Sequence, residues 1–218
     1  MRRKKDLPQN APPQKTSLTR RDFLKGASVT VSGGLLVGGK MAEAAQTGTG
    51  GEVVGPGPVP VTLRVNGKVH KLNLEPRVTL LDALRDKLDV TGSKKVCDRA
   101  TCGACTMMID HKPVYGCTVL AIEAQGRDIT TIEGLAPEGE LSPVMAAFVE
   151  HDAQQCGFCT PGFVMACTAF LERNPNPTLE DIEKDLGGNL CRCGTYWGIR
   201  HAVLNAAKSM KGGAHAKV

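Results

Sequence analysis

Nine cysteines are the residues of this 218-residue chain whose type and spacing could do chemistry. Cys97, Cys102 and Cys105 follow a C-x4-C-x2-C pattern, and 11 residues separate Cys105 from Cys117. Thiolates at this spacing are typical of plant-type 2Fe–2S sites, in which one loop supplies three ligands and a fourth arrives from elsewhere. Gly103 lets this loop turn tightly, so that backbone N–H groups can point at the sulfurs and stabilise an anionic cluster. We therefore predict that these four cysteines, the first set, hold a 2Fe–2S cluster.

Zinc and disulfide bonds are the competing interpretations of the first set. Structural zinc usually pairs two short Cys motifs, whereas here three cysteines crowd one loop and the fourth lies apart. A disulfide framework suits small domains that lack a sufficient core, and this chain is long enough to build one. The pattern therefore favours iron–sulfur chemistry over both alternatives.

A second set consists of Cys156, Cys159, Cys191 and Cys193, a C-x2-C pair followed after 31 residues by a C-x-C pair. Each pair precedes a predicted helix, where free backbone N–H groups and a partial positive charge favour thiolates. Because a C-x-C pair does not discriminate between metals, the spacing leaves both zinc and an iron–sulfur cluster open.

The ninth cysteine, Cys167, is interpreted as a small packing residue. It shares a helical apolar spacing with Phe163, Val164 and Phe170, and buried cysteines behave as small hydrophobic residues. The five histidines are scattered along the chain, and no C-x-H pair occurs. This absence excludes a Rieske centre.

Residues 1–45 are predicted to form an export signal. A basic start precedes Arg20-Arg21 and Asp-Phe-Leu-Lys, after which come a weakly apolar run over 26–39 and a small-x-small cleavage pattern at Ala42–Ala44. The paired arginines resemble a twin-arginine signal. That route exports folded proteins, as a protein with clusters built in the cytoplasm requires, so we expect a periplasmic location.

Two alternatives for this segment are a disordered basic tail and a retained, uncleaved tether. Its apolar run is too short and too rich in Gly and Ser for a transmembrane helix, which needs about 20 apolar residues, so stable membrane insertion is not expected. Residues 46–60 are rich in Gly, Pro and Thr and are predicted to be a flexible linker.

Charge and composition argue against nucleic-acid binding. Nine of the 27 Lys and Arg residues but only three of the 22 acidic residues lie in the first 44 positions, so the rest of the chain is nearly neutral. Aromatic residues make up only 4 % of the chain. Neither a basic stripe nor aromatic stacking platforms are therefore available for DNA or RNA.

The elements that must position the cysteines predict an α+β protein with a strand-rich half followed by a helical half. Alternation of apolar and polar residues about Asn66-Gly67 predicts a hairpin over 61–74. Short strands are expected at 106–109, 112–115 and 128–132, and helices at 79–88 and 118–124. Beyond a segment rich in Gly, Pro and Glu, helices are predicted over 143–150, 161–173, 178–186 and 195–210. We place domains at 61–135 and 140–210 and a disordered tail at 211–218.

Taken together and in order, the two cysteine sets resemble the iron–sulfur subunit of the molybdenum hydroxylases, the family of xanthine dehydrogenase and aldehyde oxidoreductase. The matching stretches cover 61–210 and include residues 97–106, 155–162, 188–196 and Ile132-Glu-Gly-Leu135. The resemblance implies a 2Fe–2S cluster on the second set as well. It also implies a β-grasp, plant ferredoxin-like first domain and a four-helix bundle as the second domain.

The resemblance further implies a division of labour among subunits. An aldehyde or N-heterocycle would be oxidised on a large molybdopterin-binding subunit, and this chain would contribute no catalytic residue. Electrons would enter at the second set and leave from the first set to a flavin subunit or a cytochrome. Gln155 and Cys193 match family positions that touch the pterin, which makes them candidate cofactor-binding residues.

One stretch departs from the family pattern. Many relatives carry acidic or Gly residues where this chain has Arg99-Ala100-Thr101, a difference that bears on the identity of the electron acceptor. Two rival functions remain. One is a free-standing periplasmic two-cluster carrier, and the other is a zinc or disulfide protein without redox chemistry.

Overall fold

The computed structural model describes residues 55–136 and 139–211. The predicted export signal, residues 46–54 of the predicted linker and residues 212–218 of the predicted tail lie outside these ranges. Within them, the chain is a mixed α/β protein in which a five-stranded sheet is followed mainly by helices. No helix of the described residues is long and apolar enough to cross a bilayer.

The sheet has the strand order β2-β1-β5-β3-β4. Its strands are β1 (Val59–Val65), β2 (Lys68–Leu74), β3 (Thr106–Ile109), β4 (Lys112–Tyr115) and β5 (Asp128–Thr130). β1 pairs antiparallel with β2 and parallel with β5, whereas β3 pairs antiparallel with both β5 and β4. The predicted hairpin is present, and both turn residues have positive φ, 48° at Asn66 and 77° at Gly67, as a tight two-residue turn requires.

One predicted helix in this half is wrong. Residues 118 and 119 form a turn and a bend, after which Leu120 forms a β-bridge with Thr79. The carbonyl of Val119 accepts a hydrogen bond from Leu80 N at 2.7 Å. Only a short 3-10 helix, Ala121–Ala124, remains. Pairing with a residue 41 positions away thus overrides the local helical pattern.

A first hydrophobic core lies between the sheet and helix α1 (Leu80–Lys87). Thr79 begins this helix as its N-cap, since its hydroxyl accepts a hydrogen bond from Asp82 N at 3.1 Å. Alternate residues of β1 and the apolar face of α1 are fully buried together; they are Val61, Leu63, Val65, Leu80, Leu81 and Leu84. This packing fixes the sheet whose β3–β4 hairpin carries two of the first-set cysteines at its ends.

The second half contains helices α2 (Pro143–Glu150), α3 (Thr160–Arg173), α4 (Leu179–Asp185) and α5 (Tyr196–Lys211). They enclose a second core whose largest fully buried side chains include Phe163, Leu171, Ile182 and Ile199. Cys167 is completely buried in this core, and burial raises its pKa, which confirms the prediction that it is a packing residue.

Helix α3 also packs against the sheet. Met165 and Ala169 of α3 are buried against Met108 of β3, with Ile132 and Leu135 beside them. The helix that begins directly after Cys159 is therefore held against the strand that begins directly after Cys105. This contact sets the approach of the two cysteine sets to each other.

Candidate metal centres

The first set is assembled by one loop and one hairpin. Cys97 and Cys102 are partly exposed on the loop before β3, while Cys105 and Cys117 are buried at the two ends of the β3–β4 hairpin. The register pairs Thr106 with Tyr115, and Gly116 N donates to the Cys105 carbonyl at 3.2 Å. The hairpin thus brings Cys117 back to the loop, although 11 residues separate it from Cys105.

Backbone N–H groups of this loop point at the sulfurs. Thr101 N lies 3.4 Å from Cys97 Sγ, and Ala100 N lies 3.4 Å from Cys117 Sγ. The loop achieves this through left-handed conformations at Asp98 (φ 55°), Ala100 (φ 54°) and Gly103 (φ 69°). Successive N–H groups in such conformations form a concave anion site.

The thiols of the first set lie in two adjacent pairs, Cys97 with Cys102 and Cys105 with Cys117. Hydrogen bonds from the backbone N–H groups of Arg99 and Thr101 lower the pKa of Cys97 to about 7. Burial raises the pKa of Cys105 to about 12. A buried thiol of this kind becomes a thiolate only when a metal ion replaces its proton.

The second set is assembled at the starts of two helices, as predicted. Cys159 is the N-cap residue of α3, and Cys193 lies three residues before α5 begins at Tyr196. Cys191 is buried, Cys159 and Cys193 are partly exposed, and Cys156 is exposed. The thiols again form two adjacent pairs, Cys156 with Cys193 and Cys159 with Cys191.

Hydrogen bonds and burial oppose each other in the second set. The backbone N–H of Phe158 lowers the pKa of Cys156. Burial acts to raise the pKa of Cys191, but hydrogen bonds from Thr195, whose Oγ1 lies 3.2 Å from the sulfur, outweigh it and lower that pKa to about 7. Burial raises the pKa of Cys159 to about 12.

This arrangement of thiols fits a two-iron cluster better than a single ion. In each set, two pairs of thiols stand side by side, so that each pair could serve one iron of a 2Fe–2S rhomb. Among the described residues, no three His, Cys, Asp or Glu side chains converge as closely as one metal ion requires. All nine cysteines are free thiols, so no disulfide joins them.

The two candidate pterin-contact residues lie at the surface beside the second set. Gln155 is exposed and immediately precedes Cys156, and Cys193 is partly exposed. Large apolar side chains are exposed nearby in sequence: Phe158, Leu190 and Trp197.

Three residues that join the two sets were not singled out by the sequence reasoning. The side chain of Asn189 is buried and donates to the carbonyl of Gly103 at 3.0 Å, and Tyr115 OH donates to Gly188 O at 3.1 Å. Gly162 stands where α3 meets the first-set loop. Asn189 and Gly103 are 86 residues apart, so no local pattern could have paired them.

Comparison with known proteins yields a consistent group of relatives. A family model described as a 2Fe-2S binding domain matches residues 131–204. The aldehyde oxidoreductase iron-sulfur-binding subunit PaoA of Escherichia coli (strain K12) is 37 % identical over 214 residues, covering 91 % of this chain and 92 % of that protein. The nicotine 6-hydroxylase small subunit of Paenarthrobacter nicotinovorans is 46 % identical over 148 residues, covering 68 % of this chain and 89 % of that protein.

Solved structures give the same picture. A chain of quinoline 2-oxidoreductase from Pseudomonas putida 86 superposes with a TM-score of 0.68 at 37 % identity and covers 72 % of this chain and 98 % of its own length. The aldehyde oxidoreductase from Desulfovibrio gigas superposes with a TM-score of 0.68 at 36 % identity over 72 % of this chain, which matches only 18 % of that longer protein.

Proposed function

We infer the function of this chain from its family: it belongs to the iron–sulfur subunits of molybdenum hydroxylases of the aldehyde oxidoreductase and xanthine dehydrogenase type. Substrate chemistry in such enzymes takes place on another subunit, so this chain is a component of an oxidoreductase and serves electron transfer. We propose that it carries two 2Fe–2S clusters and passes electrons from a molybdopterin-binding large subunit to a flavin subunit or a cytochrome. The observation that carries the proposal is the grouping of eight cysteines into two sets of paired thiols.

When bound, each 2Fe–2S cluster would accept and release one electron at a time. The ligands are Cys97, Cys102, Cys105 and Cys117 for one cluster and Cys156, Cys159, Cys191 and Cys193 for the other. The chain's own contribution is to hold the thiols in pairs, to aim backbone N–H groups at the sulfurs and to bury part of each site, which together tune the reduction potentials.

The second set is proposed as the electron entry. Gln155 is exposed and Cys193 is partly exposed, and the large apolar side chains of Phe158, Leu190 and Trp197 are exposed within four residues of second-set cysteines in the sequence. Exposed large apolar side chains of this kind are suited to a stable subunit interface. Gln155 and Cys193 would then contact the molybdopterin cofactor of the partner subunit.

The first set is proposed as the electron exit. The loop from Cys97 to Thr101 is largely exposed, so an acceptor subunit can approach it closely.

The names of the relatives, which include an aldehyde oxidoreductase, a nicotine 6-hydroxylase and a quinoline 2-oxidoreductase, support an aldehyde or an N-heterocycle as substrate of the complex.

We also propose the finer architecture: a β-grasp, ferredoxin-like domain at 61–135 and a four-helix bundle at 140–210. Two separate buried cores support this division, one between the sheet and α1 and the other among α2 to α5.

Twin-arginine export to the periplasm is part of the same proposal. The similarity to PaoA covers 91 % of the chain, more than residues 46–218 comprise, so it extends into the predicted signal.

A free-standing carrier is less well supported, because the relatives are named as subunits of larger enzymes. The deciding experiment is purification of the tagged full-length chain from the periplasm of its native host, followed by metal and subunit analysis. We expect a molybdenum-containing large chain to co-purify, with about four irons in each copy of this chain. A chain that purifies alone would refute the subunit assignment, and a colourless zinc protein would refute the cluster assignment.

Single substitutions assign the ligands. Cys97→Ser and Cys156→Ser should each remove one of two EPR signals from the reduced protein and about half of its iron. Cys167→Ser is the matched control: because this cysteine is completely buried and belongs to neither set of paired thiols, the variant should keep both signals.

A further inference from the structure

Three consecutive residues before Cys191 are hydrogen-bonded to the sheet half of the chain. Gly188 O accepts from Tyr115 OH at 3.1 Å. The side chain of Asn189 donates from Nδ2 to Gly103 O at 3.0 Å. Leu190 N donates to Cys102 O at 2.9 Å. The segment that carries the second-set C-x-C pair is therefore attached, residue by residue, to the neighbourhood of the first set.

Asn189 is the side chain at the centre of this attachment. It is only 6 % exposed, one of few buried polar residues in the described ranges. Its Nδ2 also lies 3.3 Å from Thr106 Oγ1, and Thr106 Oγ1 donates to the same Gly103 carbonyl at 2.6 Å. Gly103 O also accepts from Thr106 N at 3.1 Å. Loss of the Asn189 amide would therefore leave this buried carbonyl with its donors from Thr106 and remove only the hydrogen bond that comes from the second half of the chain.

The surrounding space leaves no room for adjustment. A Cβ atom on Gly103 would lie 2.6 Å from the Asn189 side chain, and a Cβ on Gly162 would lie 2.3 Å from Gly103 O. The first-set loop thus meets the side chain of Asn189 on one side and the backbone at the start of α3 on the other. Cys102 and Cys159 both lie within three residues of this meeting point.

We propose that Asn189 is a positioning residue that fixes the separation between the two cysteine sets and preserves a direct hydrogen-bonded link between them. The link runs from Cys102 through its carbonyl to Leu190 N and on to Cys191, so only one hydrogen bond separates a ligand of one set from a ligand of the other. The importance of this link for electron transfer rests on the proposed function. The hydrogen bonds by which Asn189 holds the two segments together, here called the clamp, rest on the contacts of the chain.

The consequence is a fixed distance between two redox centres. Electron transfer and magnetic interaction between two centres both fall steeply as their separation grows. Without the Asn189 amide, the segment before Cys191 would be held to the sheet half only by the hydrogen bonds from Tyr115 OH to Gly188 O and from Leu190 N to Cys102 O, and it could open transiently. The side chain of Asn189 contacts no cysteine of either set, yet it would thereby control electron transfer between the two clusters.

The test compares Asn189→Ala in the full-length chain with Asn205→Ala as a matched control. The Nδ2 of Asn205 also makes two side-chain contacts, to Glu150 Oε2 and His151 Nε2, both at 2.8 Å, but Asn205 lies on α5 and shares no partner with Asn189. Iron content and the visible spectrum are measured first. The two readouts are then the splitting of the EPR signals of the reduced protein by the interaction between its centres, and hydrogen exchange in the peptide that contains Leu190.

We expect Asn189→Ala to keep its iron, to lose most of the splitting and to exchange the Leu190 amide about tenfold faster, since one buried hydrogen bond corresponds to roughly that factor. Asn205→Ala should change neither readout. Unchanged exchange and splitting in Asn189→Ala would overturn the proposal. Asn189→Asp keeps the side-chain volume but has no amide donor, so it provides the same test should the alanine variant not fold.

The same series separates the two proposals. A wild-type chain without a second paramagnetic centre contradicts the proposed function, and the exchange readout still decides whether Asn189 clamps the loops. If the wild-type chain shows the splitting and Asn189→Ala shows the same splitting and the same exchange rate, the positioning role of Asn189 is contradicted and the proposed function is not.

Discussion

Gly162 stands in the first turn of α3, directly against the first-set loop, and Gly162→Ala tests how tightly the two halves are packed. The added Cβ would lie 2.3 Å from Gly103 O, 3.0 Å from Ala104 Cα and 3.1 Å from Ala104 C. All three are backbone atoms, so no side chain can rotate away. The helix and the loop must instead separate by about 1 Å to restore ordinary van der Waals distances.

The expected cost follows from two opposing terms. Overpacking of a rigid site costs about 3 kcal/mol, at the upper end of the usual range, because backbone rather than side chains must move. Replacing glycine by alanine inside a helix returns about 1 kcal/mol. We therefore expect the free energy of unfolding to fall by about 2 kcal/mol, which corresponds to a midpoint roughly 4–8 °C lower for a chain of this size.

Gly187→Ala is the matched control, because a Cβ at Gly187 would meet no atom within 4 Å. Gly198→Ala provides an intermediate case, since its Cβ would lie 2.8 Å from His151 O. Thermal unfolding of the full-length variants, followed by far-UV circular dichroism under identical conditions, should rank them Gly162, Gly198, Gly187 from least to most stable. A midpoint for Gly162→Ala within about 1 °C of that for Gly187→Ala would refute the close packing of α3 against the loop.

Three further predictions concern charge and helix capping. Arg99 Nε donates to the carbonyl of Cys97 at 3.0 Å. Because Arg99→Gln removes a positive charge, it should lower the reduction potential of the first-set cluster by at most about 40 mV, the equivalent of about 1 kcal/mol for an exposed charge. An EPR-monitored redox titration that finds a rise would contradict this sign. Asp110 accepts hydrogen bonds from Arg127 Nε at 2.8 Å and from a backbone N–H, and Arg127 lowers its pKa below 3.8. A lowered carboxyl pKa stabilises the fold above pH 3.8 and loses that effect as pH falls through the folded-state pKa, so Asp110→Asn should weaken the pH dependence of the acid-unfolding midpoint below about pH 4, and an unchanged profile would speak against the ion pair. Thr178 caps α4 through its hydroxyl, so Thr178→Ala should cost about 1 kcal/mol of stability in the same thermal assay, with Thr178→Ser as the control that keeps the cap.

The first cysteine set could be predicted because most of its information is local. Three of its ligands lie within nine residues, and that spacing alone indicates the chemistry. The hairpin that returns Cys117 was also predictable, since Asp110-His111 separates two short strands. The second set could be predicted only as thiolates at helix starts, and its metal stayed open until the family resemblance was considered.

The helices likewise could be predicted only where local contacts stabilise them. Periodic apolar residues and capping side chains predict α1 and α2 to α5 to within a few residues, because a helix is stabilised by contacts three and four residues apart. The expected helix over 118–124 is wrong because Leu120 pairs with Thr79. A bridge between distant segments cannot be seen in the local pattern.

The sequence by itself determined which residues are predicted to bear the chemistry, since the identity and spacing of the eight cysteines can be read directly from it. The tertiary structure decided how the two sets are joined. The sequence assigns no role to Asn189 within its Gly-Gly-Asn-Leu stretch, and only the structure shows that its side chain donates to Gly103 O. Likewise, only the structure shows that Gly162 lies directly against Gly103 O. The physical reason is that a buried hydrogen bond or a close backbone contact depends on which surfaces meet, and those surfaces meet only when both cores have packed.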